Sequence, residues 1–491
     1  MKIAVNLQFR HWFILGLLVQ LVAAWFSIGY HQPDEHFQVL EFAGYRLGLS
    51  LGCDLAWEYA ARCRSALQPS VVYALGRGLQ MAGRYNPFML AFMLRLMMGL
   101  LTWWTTCRIV KLMLPELITR QGKQALVWCS FLLWFVPYVG VRFSAENISG
   151  LFFFLAFSLL YPIHIFPAKK PLPRLLLAGL LLGFSVFTRI QLGIAVLGLV
   201  CWLLRYGKWP IRYLLILNAG GIFALTLSVC LDRWFYGDWT FSPWNYFNAN
   251  MIHHKAASFG VDQWWYYFTK YLDIGVPPIS VVLLPFFFMG VWQKKQHVLS
   301  WIVIAFIAVH CGIGHKEIRF LFPVSPAFIF LACSGFDRLM QLYPGRKYYR
   351  WAIPLFAALN SIMLVVKIFT PAHEAIKYYE AIYNYSGKQK PVLVSYETPV
   401  YQLVGLCVNF YQPKNLEEHT ISNPGELTQI LKTANGRPVL FLNNQVTPDP
   451  RLKNFRIEKV YCILPSWMNR FNFTDWQSRS YIWTVYRVYE L

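Results

Sequence analysis

Two short polar motifs, far apart along the chain, contain the side chains best suited to chemistry. The first, residues 31–36 (HQPDEH), directly follows an apolar run, and the second, residues 315–319 (HKEIR), lies between two apolar runs. Any of the carboxylates of Asp34, Glu35, Glu41 and Glu58 could accept a proton from a hydroxyl group. Lys316 can hold a phosphate as a point charge, and Arg319 can hold one through a two-pronged contact. A base and an anion clamp together indicate group transfer from a phosphate to an alcohol.

Each motif also has a purely structural interpretation. Pro33 suits the first turn of a helix, and acidic residues there favour the positive end of the helix dipole. The charges of residues 315–319 could equally form an interfacial knot of salt bridges centred on Glu317.

The first motif is predicted to open an acidic amphipathic helix at a membrane surface. If an α-helix begins at Pro33, its spacing places Asp34, Gln38, Glu41 and Tyr45 on one face.

The composition indicates a polytopic membrane protein. Of 491 residues, 57% are hydrophobic and 18% aromatic, and only 14% are charged, whereas about a quarter of the residues of a soluble protein are charged. The net charge of +22 comes from short Lys and Arg clusters between apolar runs, as in cytoplasmic loops. The clusters therefore argue against a nucleic-acid partner and for a membrane-lipid environment.

Apolar runs long enough to cross about 30 Å of hydrocarbon predict roughly eleven transmembrane helices. Nine lie at 11–30, 88–110, 124–141, 148–166, 211–230, 276–292, 297–313, 320–340 and 351–370, and a longer interrupted run between 175 and 204 supplies two more. The two runs between 175 and 204 are interrupted by Thr188-Arg189-Ile190-Gln191. We interpret them as the two helices of a tight hairpin, with Arg189 near its extracytoplasmic turn. Basic residues, which favour the cytoplasm, lie before the first helix and after the second.

The basic clusters predict which connections face the cytoplasm, namely those near residues 108–123, 169–174, 205–212, 294–295 and 346–350. The remaining connections face outward: 30–87, 142–147, Arg189, 232–276 and 315–319. Ionisable residues at the ends of membrane helices are usually functional. We therefore expect the acids of the N-terminal part and the bases near residue 319 to meet in one cavity on the extracytoplasmic side, which is the ER lumen or a periplasm.

The chain is expected to divide into a transmembrane domain, 1–370, and an extracytoplasmic domain, 371–491. The first outer loop, 30–87, is too long to be structureless and should hold one or two interfacial helices. Short runs rich in β-branched and aromatic residues predict strands at 391–396, 438–442 and 481–489, with a helix between 423 and 436. The second domain is therefore a small α/β unit.

Cysteines and aromatics leave two questions open. Cys53 and Cys63 lie in the first outer loop, where an oxidising compartment would permit a disulfide, and Cys407 and Cys462 could also pair. The many aromatic residues of 232–276 fit either an interfacial belt or part of the site.

The polar motifs resemble the family 22 glycosyltransferases of the GT-C class, and most closely the GPI mannosyltransferases that add the third mannose. The matching features extend from the first helix to about residue 340. They are His31 to Glu35 with Gln38 and Glu41, Trp57-Glu58 with Arg62 to Ser65, Asp232 with Phe235-Tyr236-Gly237, Pro243 to Asn250, and His315-Lys316-Glu317 with Arg319-Phe320. The stretch 142–147 reverses the family's usual order of Asn before Glu, so no role is assigned to Glu146 or Asn147.

The resemblance implies an inverting enzyme that takes mannose from a polyprenyl (dolichyl-type) phosphate and passes it to a glycolipid or glycan acceptor. Asp34 would then be the catalytic base, and Glu35 would position the acceptor. Lys316 and Arg319 would then bind the donor phosphate. Arg189 and Arg142, chosen for their charge alone, and His315 are further candidates for contact with that anion. Supporting or acceptor-binding residues would be His31, Gln38, Glu41, Trp57, Glu58, Arg64, Asp232, Tyr236 and Asn250. No cofactor or metal is expected, because fixed cations can stabilise the departing phosphate and no tight metal-ligand motif is present.

Two other classes of function remain possible from the residues. A transporter or flippase for a lipid-linked saccharide would use the outward charges as a gate, but it would place charge near mid-membrane and often shows inverted repeats. A non-catalytic assembly subunit would keep the fold alone.

Overall fold

The computed structural model describes residues 9–50, 54–165, 171–345, 349–387, 389–414 and 416–490. The helices of the first half are α1 (Arg10–Phe26), α2 (Pro33–Glu35), α3 (Glu41–Arg46), α4 (Trp57–Ala60), α5 (Leu67–Met81), α6 (Pro87–Met113), α7 (Arg120–Leu132), α8 (Phe135–Gly140), α9 (Ala145–Ile165), α10 (Leu172–Thr188), α11 (Leu192–Trp202) and α12 (Ile211–Tyr236). The helices that follow are α13 (Ser242–Phe247), α14 (Tyr266–Ile274), α15 (Pro277–Gln293), α16 (Val298–Gly312), α17 (Ser325–Leu342), α18 (Tyr349–Phe369), α19 (Ala375–Ser386) and α20 (Pro424–Thr433). The strands are β1 (Val392–Tyr396), β2 (Gln402–Leu403), β3 (Leu406–Cys407), β4 (Glu417–Ile421), β5 (Val439–Asn443), β6 (Arg456–Cys462) and β7 (Thr484–Tyr489).

The predicted polytopic helical architecture is confirmed, because each predicted span contains helix. In the described part of the chain, five helical stretches have the length and apolar composition needed to cross a membrane: Pro87–Glu116, Ala145–Ile165, Ile211–Tyr236, Ile318–Leu342 and Tyr349–Phe369. Five shorter apolar helices accompany them: Arg10–Phe26, Leu172–Thr188, Leu192–Gly207, Pro277–Gln293 and Val298–Gly312. The protein is therefore an integral multi-pass membrane protein, and the total of eleven crossings stays a prediction.

The predicted span 124–141 is wrong as a single helix, because the chain breaks between α7 and α8. The buried amide of Asn360 on α18 occupies the break. Its Oδ1 accepts a hydrogen bond from the Trp134 backbone N–H at 2.9 Å, and its Nδ2 donates to the Leu132 carbonyl at 2.7 Å. One side chain thus satisfies a donor and an acceptor that a continuous helix would have paired internally.

The described residues form two compact units. The helical unit comprises Met1–Ser27, Trp57–Val71 and Phe92–Thr370, and the mixed unit comprises Ile28–Ala56, Val72–Ala91 and Pro371–Leu491. One boundary coincides with the predicted division at residue 370, whereas the first outer segment is shared between the units. The predicted functional division into two domains stays a prediction.

Close helix packing in the helical unit depends on small residues. A Cβ atom added at Gly290 of α15 would lie 1.8 Å from the Leu331 carbonyl oxygen on α17. A Cβ at Gly335 would lie 2.0 Å from the Phe286 oxygen in return. The two helices therefore touch backbone to backbone, which is a packing mode of membrane helices.

The mixed unit contains a five-stranded sheet in the order β4-β1-β5-β7-β6. Strands β4, β1 and β5 are parallel, and β7 pairs antiparallel with both β5 and β6. The predicted small α/β domain is confirmed, including its three strands and the helix whose N-cap Asn423 accepts from the Glu426 N–H. The sequence prediction missed β4 and β6, which are partly exposed and carry charged residues.

Several expectations fall on residues that the structure does not cover. Cys53 lies outside the described residues, so the predicted disulfide with Cys63 stays a prediction. Residues 166–170 and 346–348, which carry predicted cytoplasmic charges, also lie outside them. No disulfide joins Cys407 to Cys462, so their suggested pairing is wrong.

Candidate active site

The acidic motif lies in the mixed unit, where it forms an irregular helix. Pro33 begins α2, the segment His36–Leu40 forms a π-helix, and α3 follows at Glu41. A π turn joins residues i and i+5, so His36 and Glu41 come together. The His36 Nε2 atom lies 2.8 Å from Glu41 Oε1, and both side chains are almost fully buried.

The π turn overturns the predicted helix face. Gln38 and Glu41 are buried, whereas Tyr45 is 36% exposed, so these residues do not share one surface. The prediction assumed 3.6 residues per turn, and the wider turn shifts every later side chain. π turns of this kind occur frequently at functional sites.

An aromatic cluster surrounds the His36–Glu41 pair within the mixed unit. The His36 ring stacks on Tyr411, with centroids 5.5 Å apart, and on Tyr30 at 5.3 Å. The Phe410 N–H donates to Glu41 Oε1 at 2.9 Å. Burial, with nearby Tyr411, raises the pKa of the Tyr30 phenol, so Tyr30 stays neutral.

The predicted catalytic residues Asp34 and Glu35 lie one turn before this buried pair. Both are partly exposed, as is His31, whereas the residues from 36 to 44 are buried. Asp34 and Glu35 thus belong to the short helix α2, directly before the buried pair. Their catalytic roles stay predictions.

The basic motif lies in the helical unit, where it forms an arginine cluster around Glu146. Arg189 Nη1 lies 2.9 Å from Glu146 Oε1, and Arg319 Nη1 lies 3.7 Å from the same oxygen. Arg319 also donates to both oxygens of Glu317, at 2.7 and 2.8 Å. Arg189 and Arg319 are only 6% and 9% exposed.

The turn between α10 and α11, which the sequence predicted, places Arg189 in this cluster. Helix α10 ends at Thr188, and Arg189 is its C-cap residue in an extended conformation. The guanidinium lies 4.9 Å from the centre of the Phe320 ring. Among the described residues, its Nε atom has no hydrogen-bond partner, so one donor remains for another group.

Lys316 and His315, the other two basic residues of this motif, do not share the contacts of Arg319 with Glu146. The Lys316 ammonium is buried and donates to the backbone carbonyls of Asp262, Ile313 and Gly314. In this geometry it fixes the loop that carries Arg319, and its phosphate-binding role stays a prediction. His315 lies 3.3 Å from Glu317 Oε1, so Glu317 contacts both His315 and Arg319.

Within the helical unit, hydrogen bonds connect the segment after α4 to the C-terminal end of α12. Asp232 is fully buried and accepts the Ala66 N–H at 2.8 Å. Tyr236 donates its hydroxyl proton to the Arg64 carbonyl at 2.6 Å. The Arg64 guanidinium lies over the Tyr246 ring, 5.1 Å from its centre, and 3.7 Å from Glu58 Oε1.

Trp57 and Asn250, two further residues predicted for the site, also have partners within the helical unit. Trp57 receives the Lys255 ammonium over its ring at 5.5 Å. Asn250 donates to the Tyr246 carbonyl at 3.0 Å within its own helical segment. Gln191 donates to the Tyr246 hydroxyl at 2.9 Å and thereby joins the Arg189 turn to this segment.

The turn before α9 holds Glu146 in place. Asn147 donates its amide hydrogens to the carbonyls of Val139, Gly140 and Arg142, at 2.9 to 3.2 Å. Arg142 in turn donates to Ser27 Oγ at 2.7 Å. Glu146 is the residue that sequence reasoning left without a role, although its position in an outward turn rich in ionisable groups was a usable signal.

Among the described residues, no group of three or more His, Cys, Asp or Glu side chains is arranged to hold a metal ion. The expectation of a metal-independent reaction stays a prediction.

Comparison with known proteins decides the family. Residues 11–403 match the model of the Alg9-like mannosyltransferase family. The chain belongs to this family. This match confirms the resemblance to the family 22 glycosyltransferases.

Relatives of the chain are named as GPI mannosyltransferases. The chain is 27% identical over 345 residues to GPI alpha-1,2-mannosyltransferase 3 of Bos taurus, which is 69% of this chain and 59% of that protein. It is 26% identical to the Homo sapiens protein of that name, over 62% of this chain and 53% of that protein. It is 27% identical to GPI mannosyltransferase 3 of Yarrowia lipolytica, over 70% of this chain and 64% of that protein. The chain thus spans less than two thirds of the length of these relatives.

A solved structure shares the fold. ArnT from Cupriavidus metallidurans, determined bound to undecaprenyl phosphate, superposes with a TM-score of 0.57 at 11% sequence identity, covering 99% of this chain and 98% of that chain. At this identity the likeness shows the fold alone, which is the predicted GT-C type.

Proposed function

We propose that this protein transfers mannose from a polyprenyl-phosphate donor to a glycolipid or glycan acceptor on the extracytoplasmic side of the membrane. Membership of the Alg9-like mannosyltransferase family supports the class of reaction. The observation that carries the proposal is the buried contact of Arg189 and Arg319 with the single carboxylate of Glu146.

The arginine cluster is suited to a leaving phosphate. When the bond between the anomeric carbon and the donor phosphate breaks, negative charge develops on the phosphate oxygens. Guanidinium groups held at fixed positions in a water-poor site stabilise such charge without reorganising. Arg189, with a donor to spare at Nε, and Arg319 are proposed to supply this stabilisation.

The acidic motif supplies the base in this proposal. Asp34 accepts the proton of the acceptor hydroxyl as the hydroxyl oxygen bonds to the anomeric carbon. Attack on the face opposite the phosphate inverts the configuration at that carbon. Glu35 positions the acceptor, and fixed cations take the place of a metal ion or cofactor.

The substrates to test first follow from the comparisons. ArnT, which shares the fold, was solved with undecaprenyl phosphate, so polyprenyl-phosphate mannose is the proposed donor. The relatives are named as GPI mannosyltransferases, so GPI-type glycolipids are the first acceptors to include.

The test is transfer by the purified full-length protein. Labelled polyprenyl-phosphate mannose is incubated with a panel of glycolipid and glycan acceptors, and labelled product is separated and its anomeric configuration determined. We expect an inverted mannoside with at least one acceptor, and the same rate in the presence of a chelator. A nucleotide-activated mannose serves as the matched donor control. Transfer from that donor alone, or retention of configuration, would refute the proposal.

A further inference from the structure

The mixed unit contains a cavity of about 600 Å³ at one end of its sheet. It is lined by the residues that end β1 and β5 and follow them, including Tyr396, Glu397, Asn443 and Asn444, and by Trp483 just before β7. Its volume lies within the range of about 300–1,000 Å³ that is typical of ligand pockets.

The topology of the sheet makes this end a binding position. Strand β1 lies between β4 and β5, and the chain passes first to β4 on one side and then through α20 to β5 on the other. The order of the parallel strands therefore reverses at β1. Ligands of open α/β sheets bind outside the carboxyl ends of the strands at such a switch point.

Side-chain hydrogen bonds hold the two loops that border the cavity. Ser395 donates to the Thr398 carbonyl at 2.7 Å. Asn443 is 4% exposed and donates to the carbonyls of Gln445 and Thr447, at 2.9 and 2.7 Å. Hydrogen bonds of two buried side chains thus hold both loops in place.

Aromatic rings form part of the lining. The Arg451 guanidinium lies only 3.5 Å from the centre of the Tyr396 ring and pairs with Asp449 at 2.8 Å. Trp483 packs against Tyr378, with ring centroids 5.3 Å apart. Each ring has an apolar face and a polar edge.

The charge of the lining disfavours anions. Three carboxylates, those of Glu374, Glu397 and Asp449, line the cavity together with the single guanidinium of Arg451. Burial lowers the pKa of His373 to about 4, so its ring adds no positive charge near pH 7. A phosphate or nucleotide would therefore be repelled here.

Two buried polar atoms of the lining residues have unused hydrogen-bonding capacity. Within the described part of the chain, neither the Tyr396 hydroxyl nor His373 Nδ1 has a hydrogen-bond partner. Such atoms are costly to bury unpaired, and a ligand with several hydroxyl groups could satisfy them.

We propose that this cavity is a binding site for a neutral saccharide. The apolar faces of pyranose rings would pack on the aromatic lining, and their hydroxyl groups would bond to the amides, the carboxylates and the Tyr396 hydroxyl. Binding at this site does not require transfer, so the inference goes beyond the proposed function and stands apart from it.

The experiment measures binding of a soluble α-linked mannotriose to the full-length protein in a detergent without a sugar headgroup. Saturation-transfer NMR detects contact, and calorimetry gives the affinity. We expect Tyr396→Phe, which keeps the ring and removes the hydroxyl, to weaken binding about 3- to 10-fold, as for the loss of one hydrogen bond. Tyr489→Phe is the matched control, since the Tyr489 hydroxyl bonds to Glu458 on the same sheet and does not line the cavity; its affinity should be unchanged.

Three results would overturn the inference: no mannotriose binding by the wild-type protein, equal affinity of the Tyr396→Phe variant and the wild type, or tighter binding of inorganic phosphate than of mannotriose. Thermal unfolding of each variant shows that it is folded. Because no donor is present, failure of transfer does not affect this result.

Discussion

The two regions that carry the predicted chemistry both bury a glutamate, but they surround it differently. In the mixed unit, Glu41 contacts an imidazole and a backbone N–H, whereas in the helical unit Glu146 lies between two guanidinium groups. The first arrangement is compact and leaves the neighbouring carboxylates partly exposed. The second gathers positive charge at the edge of the apolar helices. The same residue type is thus buried by a neutral aromatic setting in one unit and by paired positive charge in the other.

The largest effect is expected from the base. Asp34→Asn keeps the shape of the side chain but cannot accept a proton, so transfer should fall about 10²- to 10⁴-fold while the protein stays folded. Initial rates with polyprenyl-phosphate mannose and a thermal unfolding curve measure the two quantities. Asp273→Asn is the control, because Asp273 forms an exposed pair with Lys270, and such pairs contribute little. Unchanged transfer by Asp34→Asn would remove this residue from the base role.

The next effect concerns the arginine cluster. Glu146→Gln leaves Arg189 and Arg319 buried without their shared carboxylate, and removing one partner of a buried pair costs about 3–5 kcal/mol. Chemical or thermal unfolding in detergent should show this loss. Glu116→Gln breaks the more exposed pair with Lys294 and should cost about 1 kcal/mol. Equal destabilisation by the two changes would mean that the pairs of Glu146 with the two arginines stabilise the fold no more than the Glu116–Lys294 pair does.

The smallest effect is a pH dependence in the mixed unit. The pKa of His373 is lowered by burial to about 4 from its ordinary value of 6.5. At pH 7 the ring is neutral in both the folded and the unfolded chain. As the pH falls below 6.5, His373 becomes protonated in the unfolded chain but stays neutral in the folded chain. The free energy of unfolding therefore decreases until about pH 4.

The change should amount to about 1–2 kcal/mol between pH 7 and pH 5, measured by unfolding of the wild type and of His373→Gln at both values. The variant should lose this part of the dependence, and His254→Gln, at an exposed position, should retain it. If His373→Gln and the wild type respond alike, the ring does not resist protonation as described.

The sequence predicted the helices and their turns well because apolar length and basic clusters are strong local signals. The position of Arg189 at the turn between two apolar helices followed from those signals alone. The break at Leu133 did not, because it depends on Asn360, more than two hundred residues away in the chain. Strand β4 was missed because its sequence, EEHTI, carries charge and lies at the edge of the sheet.

The site was predicted in part. Arg189 and Arg319 were chosen for their charge and position, and the structure brings both to Glu146. The family pattern does not identify Glu146, because the order of Glu146 and Asn147 departs from that pattern. The His36–Glu41 pair could not be foreseen, since a spacing of five residues brings side chains together only in a π turn, which has no clear sequence signal.

The side-chain amide of Asn360 stabilises a break within residues 120–140, where the sequence predicted one continuous helix. Its two hydrogen bonds fasten α18 to the ends of two short helices at once. A leucine at that position would leave the Leu132 carbonyl and the Trp134 N–H without these partners, which is costly for buried backbone groups. One carboxamide, far away in the chain, thus stabilises the break that precedes α8 and the turn leading to Glu146.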